Sequence, residues 1–284
     1  MQDEIEFSVY AVEKKTETVA EFIRQTFNIS KNKIKKTHLA KKFLQSLVQH
    51  KMTLSLPIDL VNAGMIFPQF NGPPHIIIFQ DKDFLVLDKK EQSHCHPLKF
   101  SDTNNCLSFL RAENQGNLLV NPTAAERGLL YRLDYATSGV LIYINSQSLY
   151  DYCRSNFNQV ACQKIYKAKV IGTGPSLGKY QHYFSQAGVK GAKRKIVETE
   201  TNESAQLNIL HTHYDKKNHQ SLLTISLKTG LRHQIRAQLA YLGFPIIGDD
   251  LYGGTPAPRL YLHAYQYDLN IHDKMISFHG PCPF

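Results

Sequence analysis

Three stretches of the chain set chemically versatile side chains at regular spacings. The first runs Leu129-Leu130-Tyr131-Arg132-Leu133-Asp134, then Tyr135 to Gly139, then Val140 to Ile144. It reads as strand, turn, strand, and period-2 alternation puts Leu130, Arg132 and Asp134 on one face. In the second, Lys164 to Gly172, the residues Tyr166, Ala168 and Val170 share one strand face and Lys167 and Lys169 the other. The third is a strand, Leu222 to Leu227, that turns at Thr229-Gly230 into a helix. There Leu231, Ile235, Leu239 and Leu242 form one apolar stripe, Arg232 and Arg236 lie a turn apart beside it, and Gly243 stands where a C-terminal cap belongs. A carboxylate near a guanidinium keeps its charge and is available as base or nucleophile. Spacing alone leaves the duller alternatives open, because a buried Arg–Asp pair usually serves structure and a strand tyrosine usually belongs to a core.

The elements that must position these groups are legible on either side. Ile76 to Phe79 and Phe84 to Leu87, joined by the polar Gln80-Asp81-Lys82-Asp83, read as two strands and a turn. After Ile144 a helix is expected, with Ser146 or Ser148 near its start and Leu149, Tyr152, Cys153 and Phe157 inward. Upstream, Val19, Phe22, Ile23 and Phe27 recur at helical spacing, and Ser30 is placed to cap a second helix. Phe43, Leu44 and Leu47 continue the period until Pro57, Pro68 and Asn71-Gly72-Pro73-Pro74 break it. The expected organisation is a small basic module at 1–75 and a second domain at 76–284.

Read together, these blocks resemble the RluA-type family of RNA pseudouridine synthases. The matching strings are RLDYATSG at 132–139, KIYKAKVIG at 164–172, TGLRHQIR at 229–236, GFPIIGDDLYGG at 243–254 and RLYLHA at 259–264, in the family's order. The resemblance covers about residues 76–284. It implies an α+β fold with a mixed, largely antiparallel central sheet, flanking helices and a central catalytic cleft. It also implies an activity, the isomerisation of specific uridines to pseudouridine in structured ribosomal or transfer RNA. Asp134 would be the catalytic carboxylate, Tyr166 the ring stacked on the flipped base, and Arg236 the partner of the aspartate. Whether the carboxylate attacks the sugar, attacks the base or removes a sugar proton stays open. Arg132 would fill the stack that the base vacates, with Arg232, His233 and Gln234 toward the RNA. Extruding the base costs a few kcal/mol, of which stacking on Tyr166 returns roughly 1–3 kcal/mol. No metal or other cofactor is implied for an isomerisation without redox change, and the family is commonly monomeric. A non-catalytic RNA-binding protein or chaperone of the same fold, or a hydrolase with Asp134 as nucleophile, are the alternatives.

The chain departs from the family at three places. Tyr131 stands where His usually precedes the RLD string, Leu231 replaces the arginine of the usual TGR with Arg232 one place later, and Lys89-Lys90 replaces a lysine–proline pair. Toward the N-terminus, Ile29 to Lys36 is similar to the helix–turn–basic-helix of the ribosomal-protein-type module the family often carries, which implies RNA contacts for Lys31, Lys33, Lys35 and Lys36.

The whole-chain balance fits a polyanionic partner. The 33 Lys and Arg exceed the 24 Asp and Glu, for a net charge of +9. Seven lysines, Lys31, Lys33, Lys35, Lys36, Lys41, Lys42 and Lys51, fall in a stretch without an acid, while Lys190, Lys193, Arg194 and Lys195 cluster in an expected loop. Each cation set against a phosphate releases a counterion, although a solvated lysine-rich helix face produces the same pattern. With 42% hydrophobic and 20% charged residues the composition is that of a folded protein, which excludes wholesale disorder. No apolar run approaches the ~20 residues that span a bilayer, and the acidic MQDEIEF is no secretory signal, so a cytoplasmic protein is expected. Cys95, Cys106, Cys153, Cys162 and Cys282 make no CxxC pair, and Cys153 and Cys162 read as buried thiols. Neither His94-Cys95-His96 nor His211-Thr212-His213 has a second ligand pair at zinc-like spacing, so no metal is expected.

Overall fold

Local capping and apolar spacing shape the N-terminal residues. In the computed structural model, residues 4–9, 17–27, 29–61, 65–67, 69–113, 119–122, 124–189 and 192–284 are described. The chain divides into two compact units, Met1–Gly72 with His96–Arg127, and Pro73–Cys95 with Gly128–Phe284. The first contains β1 (Glu4–Ser8), α1 (Val19–Thr26), α2 (Lys31–Lys35), α3 (Lys41–Gln45), β2 (Thr53–Pro57) and α4 (Cys106–Ala112), with β1 and β2 antiparallel. Thr18 and Glu21 form a capping box at the start of α1, and Ser30 caps α2 as its position predicts. Val19, Ile23, Phe27, Ile34, Leu54 and Leu56 make a core that Phe100 completes, its ring 5.1 Å from Phe67 and 6.4 Å from Phe7. That contact draws His96–Arg127 into this unit, although the sequence pattern groups it with 76–284.

The second unit holds β3 (Ile76–Gln80), β4 (Phe84–Lys89), β5 (Ser138–Ile144), α5 (Gln147–Ser155), α6 (Phe157–Val160), β6 (Ala161–Ile171), β7 (Gly178–Ala187), β8 (Lys193–Val197), β9 (Ser204–Asp215), β10 (Gln220–Leu227), α7 (Gln234–Tyr241), β11 (Leu262–Ile271) and β12 (Lys274–His279). Their strands form one sheet in the order β3-β4-β5-β11-β6-β10-β9-β7-β8, with β12 paired to β11. Among the described residues only β5 and β11 run parallel, so the class is α+β with a mixed, largely antiparallel sheet. β4 and β5 are buried throughout, as continuous apolar runs require, whereas β10 alternates residue by residue. In β6, Tyr166, Ala168 and Val170 do share the buried face.

Four local expectations are corrected. Residues 129–134 are not a strand: Leu129 bridges Tyr143 and the Leu130 N–H reaches the Ile142 carbonyl at 3.0 Å, after which the chain is irregular until β5. Bonds to the segment after β4 replace ladder bonds there, so alternation does not govern Arg132 and Asp134. The third block's helix starts at Gln234, three residues late, because His233 takes a left-handed conformation, φ 56°, ψ 19°. Lys193, Arg194 and Lys195 lie on the edge strand β8 rather than in a loop, and Cys162 is exposed while Cys153 is buried. Lys190 and Pro68 lie outside the described residues. At the other end of α7 the cap holds: Gly243 has φ 84°, and the Phe244 N–H returns to the Leu239 carbonyl at 2.9 Å.

Candidate active site

Asp134 is held by backbone bonds rather than by a strand. The Thr137 N–H closes a turn on the Asp134 carbonyl at 3.0 Å. On one side of it, Leu133 exchanges bonds with the buried Cys95, the Leu133 N–H donating to Sγ at 3.2 Å and the thiol donating to the Leu133 carbonyl at 3.3 Å. On the other, the Tyr135 carbonyl accepts from the Ser93 N–H at 3.3 Å and from Lys89 Nζ at 3.2 Å. Lys89 is fully buried and donates also to the carbonyls of Lys90 (2.9 Å) and Ser93 (2.8 Å), which gives the ammonium three acceptors in place of water. Lys89 therefore ties the end of β4 to the turn that presents Asp134.

The carboxylate of Asp134 is 23% exposed. Arg236 Nη1 lies 3.7 Å from Oδ2 and His233 Nε2 lies 3.8 Å from Oδ1, and among the described residues no hydrogen bond reaches the group. The closer bonds of Arg236 go elsewhere. Its Nε donates to Asp249 Oδ2 at 2.8 Å and its Nη2 to Oδ1 at 2.7 Å, a bidentate pair with a fully buried carboxylate. Burial by itself would lower the guanidinium's pKa, but the bonds and charge of Asp249, with the charge of Asp134, outweigh it and hold the group above the usual arginine value. Arg236 also lies over the Tyr252 ring, 5.3 Å from its centroid.

His233 is buried, and its Nδ1 lies 3.3 Å from the Tyr252 hydroxyl. Burial is the largest influence on the imidazole and depresses its pKa; the charge of Asp134 opposes this, while Arg236 and Arg232 reinforce it. The Tyr252 hydroxyl donates to the Arg194 carbonyl at 3.0 Å and accepts from the Arg194 N–H at 2.9 Å. Left-handed backbone at a non-glycine residue costs of order 1–3 kcal/mol, and here it sits beside the candidate carboxylate.

Tyr166 is 7% exposed, with its hydroxyl 3.2 Å from that of Tyr267. Burial pushes its phenol up to about 12; the bond from Tyr267 works against this and the nearby Asp134 charge adds to it. Tyr267 is itself stacked on Tyr131, centroids 3.9 Å apart and planes within 5°, and Tyr131 donates to the Val140 carbonyl at 2.9 Å. Tyr131, where the family has His, thus backs the ring that backs Tyr166.

The other expected residues are distributed unevenly. Arg132 is exposed close in sequence to Asp134, and Arg232 is exposed with Nη2 donating to the Ala192 carbonyl at 3.0 Å. Gln234 is buried and bonded internally, accepting from Thr229 Oγ1 (2.9 Å) and the Leu231 N–H (3.2 Å) and donating to the Gln206 carbonyl (3.0 Å). In the other unit, Lys31, Lys35 and Lys36 are exposed around α2, and Lys33 Nζ donates to the Leu60 carbonyl at 3.2 Å. Sequence reasoning missed Asp249 and Tyr252. Both stand in the GFPIIGDDLYGG string, which forms a turn, and the available signal was the Asp249-Asp250 pair in an otherwise largely apolar run.

Comparison with known proteins gives a consistent result. A family model described as RNA pseudouridylate synthase matches residues 83–241. The ribosomal large subunit pseudouridine synthase D of Borreliella burgdorferi is 28% identical over 207 residues, covering 70% of this chain and 62% of that protein. An uncharacterized RNA pseudouridine synthase of Helicobacter pylori is 30% identical over 205 residues, covering 68% of this chain and 70% of that one. Human RNA pseudouridylate synthase domain containing 1 shares the fold, with a TM-score of 0.58 at 21% identity over 74% of this chain and 84% of that structure. The chain spans between 53% and 62% of the length of the first curated relatives it matches. Among the described residues no helix is long and apolar enough to cross a membrane.

Proposed function

The chain belongs to the RNA pseudouridylate synthase family, in its RluA-type branch, and from that membership we propose that it isomerises specific uridines to pseudouridine in structured RNA. The observation that carries the reading is a partly exposed carboxylate, Asp134, flanked by Arg236 at 3.7 Å and His233 at 3.8 Å and fixed by backbone bonds on both sides. In the reaction the bond from the sugar to nitrogen 1 breaks, one to carbon 5 forms, and the carbon 5 proton leaves while nitrogen 1 gains one. Asp134 acts as the catalytic carboxylate and Arg236 supplies positive charge beside it. Tyr166 stacks on the extruded base as a neutral phenol, since its hydroxyl is engaged with Tyr267. Arg132 enters the stack the base leaves, and Arg232, with Lys31, Lys35 and Lys36, contacts phosphate. Ribosomal RNA is the first substrate to test, because the names of the bacterial relatives specify the large ribosomal subunit; transfer RNA is the second, and the cytoplasm the compartment.

The test is tritium release from ribosomal and transfer RNA labelled at carbon 5 of uridine, together with the salt dependence of RNA affinity. Release with unchanged RNA mass and a steep salt slope is expected. Binding without release in either RNA would leave the non-catalytic alternative, and a freed base would mean hydrolysis.

A further inference from the structure

Arg236 faces two carboxylates and divides itself unequally. Asp249 takes Nε and Nη2 at 2.8 and 2.7 Å; Asp134 is left with Nη1 at 3.7 Å, beyond hydrogen-bond distance. The reason lies in burial. The Asp249 side chain is fully buried, so without Arg236 it would stand as an uncompensated charge, whereas Asp134 is 23% exposed and can draw on water. Asp249 is also fixed in place. Its N–H donates to the Ile246 carbonyl at 3.1 Å, its carbonyl accepts from the Gly254 N–H at 2.9 Å, and its Oδ1 accepts from the Tyr252 N–H at 3.2 Å. Tyr252 in turn lies under the guanidinium. Arg236 is thus held from two sides by one turn, and both N–H groups of one edge of its fork are used.

We propose that Asp249 is a positioning residue: by pairing with the Nε/Nη2 edge of Arg236 it fixes the guanidinium in an orientation that stops short of a bidentate pair with Asp134, so that Asp134 keeps the influence of a nearby positive charge while its oxygens remain open to the uridine. The proposal rests on the isomerase reading above. A fork–fork pair with Arg236 would immobilise Asp134 and use the lone pairs that any of its chemical roles requires.

The decisive variant is Asp249→Asn in the full chain, assayed by tritium release across pH, with folding followed by circular dichroism. Arg236, released from its buried partner, turns toward Asp134. The expected result is a kcat at least about tenfold lower with KM for RNA within about twofold. The acid limb of the kcat profile should move to lower pH, because a full guanidinium pair favours the ionised carboxylate. A general loss of structure would scale the profile without moving that limb. In an Arg236→Lys background, which has no fork to redirect, Asp249→Asn should add little further loss. If Asp249→Asn does not fold, Asp249→Glu keeps the buried charge but displaces the fork, and is expected to lower kcat with KM unchanged. A folded variant at either substitution that converts at the wild-type kcat, or a lowered profile with an unmoved acid limb, overturns the positioning role. Wild-type protein without conversion overturns the functional reading, and this role with it.

Discussion

At the scale of residues, the candidate site separates charge from contact. Asp134 has two cationic or potentially cationic neighbours just beyond hydrogen-bond distance, so its replacement by an isosteric amide removes little that holds the fold. Asp134→Asn is therefore expected to melt close to the wild-type temperature and to bind RNA with wild-type affinity while losing tritium release by several orders of magnitude; appreciable turnover would move the chemistry to another residue. The aspartate, tyrosine and arginine of the candidate site were named through the resemblance of their strings, which are local; spacing alone did not single them out. Asp249 was not legible. Its importance comes from a buried pairing with Arg236 across 13 residues, and one of two adjacent aspartates in a turn-like string carries no period to announce it.

Among the elements, what positions Asp134 is the junction where its turn enters β5. Gly139 pairs with Ala264 of β11 on one side and Lys89 of β4 on the other. Its φ is +120°, and a Cβ there would lie 2.2 Å from the Ala264 carbonyl oxygen and 2.6 Å from its nitrogen. Gly139→Ala should cost about 3 kcal/mol, through backbone strain and overpacking together, read as a lowered midpoint in denaturant unfolding. Gly243, by contrast, has open space around the missing Cβ, so only its left-handed φ resists substitution. Strands β4, β6 and β10, the N-cap of α2 and the C-cap of α7 were legible, since apolar period and cap chemistry are properties of neighbours in sequence. The irregular run from Tyr131 to Thr137 was not, because its backbone partners, Lys89, Ser93 and Cys95, lie some 40 residues earlier. Lys193–Lys195 misled for the same reason: pairing of β8 with β7 decides their state.

For the molecule as a whole, two buried histidines tie stability to pH. His75 accepts from the Lys90 N–H and contacts Ser93; its pKa is lowered to about 3 by burial first, then by Lys89 and Lys90. His263, bonded to Ser138, is lowered to about 4 by burial first, then by Arg259 and Lys90. In the unfolded chain both take up a proton near 6.5. The unfolded state therefore binds more protons below that pH, and stability present above 6.5 is lost as pH falls toward the folded values. Each histidine contributes about 2 kcal/mol of loss by pH 5. Thermal unfolding should thus weaken between pH 6.5 and 5, and His263→Gln should flatten the slope; a midpoint constant over that range would contradict the burial assigned to both.

The sheet order has a consequence for synthesis. β11 sits in the middle of the sheet, paired parallel to β5 and antiparallel to β6, yet among the described strands of that sheet only β12 follows it in sequence. Until Leu262–Ile271 has emerged, β3-β4-β5, whose strands β4 and β5 flank the Asp134 turn in sequence, and β6-β10-β9-β7-β8, which carries Tyr166, have no strand between them. The halves of the candidate site are thus made early and apart, and are joined late by a long-range closure of the kind that slows folding. The strand that joins the two halves bears none of the groups assigned to the chemistry.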